Sequence, residues 1–403
     1  MIIQINSTNE YLSYVLNKNP ASGLTIKGLR KGFVFGKFVN DTSTYICGFQ
    51  EGINQDSFEK EGSYLIYKGY CSSESALNVL TSLFDCVTKD NNREYEKEPS
   101  LNIITIKCIE ANEKNIFAFH NENIKVYGNK VADDCNLIEL NISNNGSLID
   151  LIRYTCLFLY MQTINDSVGF LQIDQAKLYA NIIKKDDSIP FIIRHRFRGI
   201  LEQNIAKKIV PMLNNESIKL CNIGRNENQR MAFVSQHIKY KNVLDIGCGP
   251  GKFIKTSKAT KYIGVDIDEK ALERAKVKAG YVNIEASFYT DWQQGIEQLT
   301  EPTTVLLIEF IEHVERELAN KILIGLIQNR YVNQILISTP NKNFNKYFNI
   351  LDSNVRFEDH IYELTEKEFK EQIPGDDINW GDSVDNCFMT LYKNIEFGDN
   401  LIC

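Results

Sequence analysis

Lys241-Asn242-Val243-Leu244-Asp245-Ile246-Gly247-Cys248-Gly249-Pro250-Gly251 reads as a short buried strand running into a glycine-rich turn. Glycines there let the backbone approach a ligand closely, where a side chain would intervene. A helix is expected to follow from Lys252. Two other readings of the turn fail on their chemistry. Gly251-Lys252 has the ending of a phosphate loop, but Ile246 stands where its first glycine belongs and Phe253 replaces the Ser or Thr that binds magnesium. ATP binding is therefore not expected. A dinucleotide site is closer, yet Asp245, just before the glycines, suits a cationic amino group better than a pyrophosphate. The next strand, Tyr262-Ile263-Gly264-Val265, ends in Asp266, which is suitably placed for two ribose hydroxyls. Asp268 and Glu269 then open a helix over 270–278.

The rest of the chain sets the frame. Its 403 residues exceed one ordinary core, so two domains of about 200 residues each are expected. Hydrophobic residues at 43% and charged residues at 24%, without a low-complexity tract, mark a foldable chain rather than a disordered one. A formal charge of −7 argues against nonspecific polyanion binding, so nucleic-acid contact must come from a local patch. Lys252, Lys255, Lys258 and Lys261 form one candidate, and Arg194, Arg196 and Arg198 another; such runs are more often solvated faces or packing surfaces. The longest apolar run, 148–164, contains Asp150 and Arg153, which fits a buried helix and not a membrane span. Ten cysteines without a C-x-x-C pair suggest neither a zinc site nor a redox pair. Met1-Ile2-Ile3-Gln4 lacks a secretory start, so a cytoplasmic location is expected.

Over residues 2–142 the chain reads as short β runs at 33–39, 64–67, 101–108 and 115–120, broken by a helix at 73–88. From Leu148 the apolar spacing becomes helical, another helix starts at Asp174, and the last one spans 190–213. The polar turn Asn214-Asn215-Glu216-Ser217 places the boundary near Asn215. An α+β domain over 1–215 and an α/β domain over 216–403 follow.

The glycine turn with Asp245 and Asp266 resembles the Rossmann-type S-adenosylmethionine-dependent methyltransferases. That resemblance implies a mixed, mostly parallel sheet in the second domain and S-adenosylmethionine as cofactor. Asp245 would meet the methionine amino group, Gly247, Gly249 and Gly251 would line the turn, and Asp266 would hold the ribose. Ser287 and Phe288 would contact the adenine.

The fourth strand, Thr304-Val305-Leu306-Leu307-Ile308, delivers Glu309-Phe310-Ile311-Glu312-His313 at its carboxyl end, where such sheets place their chemistry. The spacing i, i+3, i+4 predicts one helical turn presenting Glu309, Glu312 and His313 to the same space. Two carboxylates that close repel unless a cation or a proton lies between them. With an imidazole added, the set suits manganese, cobalt or magnesium rather than calcium, and the lack of thiolate argues against structural zinc. The plainer alternative is a charged pair facing solvent on a helix after the strand. Downstream lie a further strand and turn, Ile335-Leu336-Ile337-Ser338-Thr339-Pro340-Asn341. Arg356-Phe357-Glu358-Asp359-His360-Ile361-Tyr362-Glu363-Leu364-Thr365-Glu366-Lys367-Glu368-Phe369 follows.

The combination E-x-x-E-H, T-P-N and D-H-x-x-E-x-T-x-x-E-F resembles the RNA 3′-terminal ribose 2′-O-methyltransferases that also modify eukaryotic small RNAs, over residues 225–369. The resemblance implies that Glu309, Glu312, His313 and His360 are both metal ligands and the catalytic set, with Mn2+ or Mg2+ bound. Asn226-Glu227-Asn228-Gln229-Arg230 resembles the motif that opens that domain, with Arg230 a substrate contact. Leu364 stands where the family usually has Trp, Glu366 where it has Arg, and Thr290 where Arg is common. In the front half, Tyr11-Leu12-Ser13-Tyr14-Val15-Leu16-Asn17-Lys18-Asn19-Pro20 and Phe191-Ile192-Ile193-Arg194-His195-Arg196-Phe197 resemble the front domain of the family's bacterial branch. That branch implies an RNA-repair assembly with a polynucleotide kinase-phosphatase and an RNA ligase, the front domain binding partners.

The expected function is metal-dependent 2′-O-methylation of the 3′-terminal ribose of RNA, with S-adenosylmethionine as donor, RNA with a free 3′ end as substrate and no membrane association. A terminal ribose offers two neighbouring hydroxyls for chelation, which an internal nucleotide lacks. Two alternatives stand beside it. A methyltransferase of a small vicinal diol is disfavoured by the His360 motif, and a non-catalytic scaffold for repair enzymes by the intact ligand set.

Overall fold

Apolar residues alternate along Ile2–Ser7 (β1), and Ile3 and Ile5 are buried, as a half-covered strand requires. The computed structural model describes the chain apart from residues 30–31, 40–41, 52–59, 62–63, 66–70, 90, 112, 132–136, 167–172, 188, 222–225, 283, 349, 351–353 and 398–403. Tyr67 and Arg225, which end two of the expected segments, lie outside the described residues. The chain divides into the units Met1–Leu213 and Asn214–Cys403.

In the first unit β1 joins Thr25–Leu29 (β2), Gly32–Val39 (β3), Thr44–Glu51 (β4), Ser100–Glu110 (β5), Ile124–Lys130 (β6) and Leu137–Gly146 (β7). They form an antiparallel sheet in the order β2-β3-β4-β1-β5-β7-β6. The helices Ser73–Leu83 and Leu148–Asp166 pack on it, so the unit is α+β. Leu148, Leu151, Ile152, Phe158 and Leu159 are buried at the predicted spacing. Arg153 is buried among them because its guanidinium donates to the carbonyls of Cys86 and Lys89, both at 2.9 Å. Two expectations are corrected. Residues 115–120 lie in a helix, Glu113–Phe119, not a strand; so short an apolar run carries no period that separates the two. The helix predicted over 190–213 is two, Phe191–Gly199 and Gln203–Leu213, interrupted after the glycine. Arg194 is fully buried and donates to the carbonyls of Asp186 (3.0 Å), Ile189 (2.8 Å) and Leu213 (2.8 Å). It is a packing element rather than a nucleic-acid contact.

In the second unit the strands Asn242–Ile246 (β8), Lys261–Val265 (β9), Glu285–Tyr289 (β10), Thr303–Ile308 (β11), Val332–Pro340 (β12), Asp376–Asp377 (β13) and Thr390–Glu396 (β14) form a sheet in the order β10-β9-β8-β11-β12-β14-β13. The first five run parallel, β14 runs antiparallel to its neighbour β12, and β13 pairs antiparallel with β14. The sheet is thus mixed and mostly parallel. Both faces are covered: Leu244, Ile246, Val305 and Leu307 enter one apolar layer, while Val243, Tyr262, Leu306 and Leu336 enter the other. Each such side chain contributes about 1.5–3 kcal/mol on burial, which explains why these strands read as continuous apolar runs. The chain winds outward from β8 to β10 and returns to β11 on the other side of β8. That reversal puts the carboxyl ends of β8 and β11 side by side, the position at which such sheets bind ligands. The helix expected from Lys252 is absent: residues 251–257 are a series of turns, ended by Lys258 at φ 54°. Among the described residues no helix is long and apolar enough to cross a membrane.

Candidate active site

The β8 turn is built from backbone. Gly247, Gly249 and Gly251 have φ of 78°, 50° and 69°, values that side chains disfavour. A Cβ at Gly247 would lie 2.6 Å from the Phe310 ring, whereas one at Gly249 would meet nothing within 4 Å. Gly247 is therefore required for contact with the β11 end, and Gly249 leaves open ground above the turn, a cradle that fits a ligand. The amides of Gly247 and Cys248 both donate to the Val265 carbonyl, at 2.8 and 3.0 Å. Asp266 braces the same turn, its carboxylate accepting from the Gly249 amide at 2.7 Å and the Asp268 amide at 2.9 Å.

Asp245 is only 2% exposed, and the Tyr262 hydroxyl donates to it at 2.5 Å. Burial pushes its carboxyl up to about 7. Ser287 and Phe288 lie inside β10 rather than at its end. Phe288 packs against Tyr262, ring centroids 6.2 Å apart, and the residue beside Asp266 is Tyr289, whose carbonyl accepts the Asp266 amide at 3.2 Å.

The β11 end is built from side chains. After Ile308 the chain does not make the single helical turn predicted for Glu309, Glu312 and His313. Glu309 adopts φ 51°, and a short 3-10 helix, Ile311–His313, carries the other two. One ligand atom each from Glu312, His313 and His360 falls within 4.8 Å of the others. His360 reaches the cluster because the Ile361 amide donates to the Glu312 carbonyl at 2.8 Å. Glu309 is not in the group. Its carboxylate pairs with Arg230 at 3.0 Å and accepts from Ser338 Oγ at 3.0 Å.

Glu312 is wholly buried. Its Oε2 accepts from Thr339 Oγ1 at 3.2 Å, while Oε1 has no partner among the described residues. Burial first, and then the neighbouring Glu309 charge, raise its carboxyl strongly. An orphaned carboxylate oxygen beside two imidazoles fits a divalent cation, which would replace both the missing hydrogen bond and the missing charge. His313 Nδ1 lies 3.1 Å from the Asp359 carbonyl and His360 Nδ1 lies 2.7 Å from Glu363 Oε1. Both contacts occupy Nδ1 and leave Nε2 for a ligand.

The other candidates divide. Lys252, Lys255 and Lys258 are exposed, and Lys261 faces Glu285 at 3.9 Å. Leu364 is buried in the apolar layer, and Glu366 is paired with Lys370 at 2.6 Å. Reading by motif included Glu363 within D-H-x-x-E but gave it no part in the site, and it did not anticipate the pairing of Glu309 with Arg230. The i, i+3 spacing of His360 and Glu363 was the available signal for the first; the second had none.

Residues 2–215 match the family model of the Hen1 N-terminal domain, and residues 243–326 match that of a methyltransferase domain. Among curated proteins the chain is 29% identical over 149 residues to the small RNA 2′-O-methyltransferase of Drosophila melanogaster, covering 32% of this chain and 38% of that protein. To the Xenopus tropicalis protein of the same description it is 30% identical over 181 residues, covering 40% of this chain and 46% of that one. The chain thus spans less than half the length of these relatives. A chain in a solved structure of the Pnkp1/Rnl/Hen1 RNA repair complex shares the fold, with a TM-score of 0.74 at 20% identity, covering 98% of this chain and 100% of that one.

Proposed function

This chain belongs to the Hen1 family, and on that premise we propose that it transfers a methyl group from S-adenosylmethionine to the 2′ hydroxyl of the 3′-terminal ribose of RNA. The observation that carries this reading is the Glu312, His313 and His360 cluster, set beside the glycine turn across the point where strand order reverses. The described activity of the small RNA 2′-O-methyltransferases similar to it supports the choice of substrate.

The donor supplies a methyl group on a sulfonium: the carbon–sulfur bond breaks as the bond to the 2′ oxygen forms, the sulfur leaves as a neutral thioether with the bonding pair, and the hydroxyl proton passes to solvent water. The β8 turn, with Gly247, Gly249 and Gly251, brings its backbone to the donor. Asp266 is assigned to the ribose hydroxyls, Asp245 to the methionine amino group, and the end of β10 beyond Ser287 and Phe288 to the adenine. Glu312, His313 and His360 would hold a cation, Mn2+ or Mg2+, with Glu309 joining them by giving up Arg230. When bound, the ion would draw charge from the ribose oxygen and lower the pKa of its hydroxyl. As ligands, the two histidines cannot also take the proton.

The test is incorporation of labelled methyl from S-adenosylmethionine into a short RNA in the presence of Mn2+. The labelled product should resist periodate, which cleaves only a terminal ribose with both hydroxyls free. A labelled product that periodate still cleaves would put the methyl group elsewhere.

For residues 1–215 we infer a partner-binding role toward RNA-repair proteins of the polynucleotide kinase-phosphatase and RNA ligase kinds. The fold shared with a chain of the repair complex supports it. Cross-linking the full chain to both proteins should concentrate links in residues 1–215; links confined to 216–403 would contradict the assignment.

A further inference from the structure

Glu363 stands three residues beyond His360, with its side chain fully buried. Its Oε1 meets His360 Nδ1 at 2.7 Å and accepts the Arg356 amide at 2.8 Å, and its Oε2 accepts from Asn345 Nδ2 at 2.5 Å. The amide and Asn345 both donate to Glu363, and a carboxylate, which only accepts, takes an N–H from the imidazole as its third partner. His360 is thereby fixed as the Nδ1–H tautomer, with its lone pair on Nε2.

The bracing continues one layer further. Asn345 is 1% exposed, and its Oδ1 accepts from Arg356 Nε at 3.1 Å and Nη2 at 3.0 Å. Arg356 also donates to the carbonyls of Met389 at 3.2 Å and Asn341 at 3.1 Å. Arg356 thus orients Asn345, Asn345 orients Glu363, and Glu363 orients His360. His313 has no such buried carboxylate among the described residues: its Nδ1 faces the backbone carbonyl of Asp359, the residue before His360, with the exposed Asp359 carboxylate 3.5 Å away.

We propose that Glu363 is the positioning residue of the cation site, holding His360 in the tautomer and orientation that a divalent ion needs. The proposal rests on the cation reading above and assigns the two histidines unequal parts: His360 is the preset ligand, His313 the adaptable one. A carboxylate behind a ligating imidazole raises its basicity, and losing one typically costs about 10–100-fold in metal affinity.

The experiment compares the full chain with Glu363→Gln, using Mn2+ alone as the probe and reading free ion by electron paramagnetic resonance. Proton–nitrogen NMR of the metal-free proteins follows the His360 Nδ1 proton. Glu363→Gln should weaken Mn2+ binding by about 10–100-fold and shift or abolish that proton signal, while S-adenosylmethionine affinity stays at the parental value and excess Mn2+ restores turnover. Should Glu363→Gln fail to fold, Asn345→Ala, which leaves the carboxylate in place, should give the same pattern in weaker form. Mn2+ bound equally by the parent and the folded variants would overturn the proposal alone. A parent that shows the His360 proton but binds no Mn2+ would overturn the cation reading and the proposal together.

Discussion

The two strand ends that meet at the reversal of the sheet are prepared in different ways. At β8 the backbone is already set: three glycines hold positive φ, and Asp266 is bonded to the amides of Gly249 and Asp268. At β11 the side chains are left unfinished, with one oxygen of buried Glu312 unpartnered among the described residues and Glu309 taken by Arg230. The contrast teaches that the β8 end, proposed above to take the donor, is preorganised in the free chain, whereas the β11 end, proposed to take a cation, holds an electrostatic conflict that an ion would relieve. Changes at one end should leave the other nearly untouched.

The largest effect should come from breaking the cation end. His360→Ala should lower methyl transfer by about three orders of magnitude, the several kcal/mol that such an ion supplies, with donor affinity by calorimetry unchanged. Parental activity in that variant would remove His360 from the site. Breaking the donor end comes next. Asp266→Ala should weaken S-adenosylmethionine binding by about 1.5–3 kcal/mol, roughly 10–150-fold, while Mn2+ binding holds; equal loss at both ends would mean that the two are one coupled structure.

Two smaller effects sharpen the comparison. Asp245 takes up a proton near 7 in the free chain, and a cationic amino group selects its ionised form. The proton must therefore leave on binding, so donor affinity should fall as pH drops from 8 to 6, by up to about tenfold, and level off above. A flat profile, matching that of Asp245→Asn, would deny Asp245 the amino group. Arg230→Met frees Glu309 and should tighten Mn2+ by about 1 kcal/mol, roughly fivefold; weaker binding would mean that Glu309 is not a ligand.

How much of this was legible in the sequence follows the same division. The β8 turn could be read because glycine at Gly247 and Gly249 reports a backbone conformation directly. The sheet could be read because strands covered on both faces, such as Val305-Leu306-Leu307, are apolar throughout. The β11 end was legible only as a set of residue types. A left-handed Glu309 leaves no mark in composition, and its pairing with Arg230 joins residues far apart in the chain. Likewise, the turns that follow Lys252 in place of a helix could not be read, because local spacing does not register the packing of Phe253 and Ile254 into the core. At Asn115-Ile116-Phe117-Ala118-Phe119, five residues were too few to tell helix from strand.

The central claim is that the cluster acts on a terminal ribose that still carries its 2′ hydroxyl, and one measurement addresses it most directly. Two RNAs of identical sequence, one ending in a ribonucleotide and the other in its 2′-deoxy counterpart, are offered to the full chain with labelled S-adenosylmethionine and Mn2+. The account predicts label in the first and none above background in the second. Equal labelling of both would contradict it, because the acceptor oxygen would then lie elsewhere in the RNA.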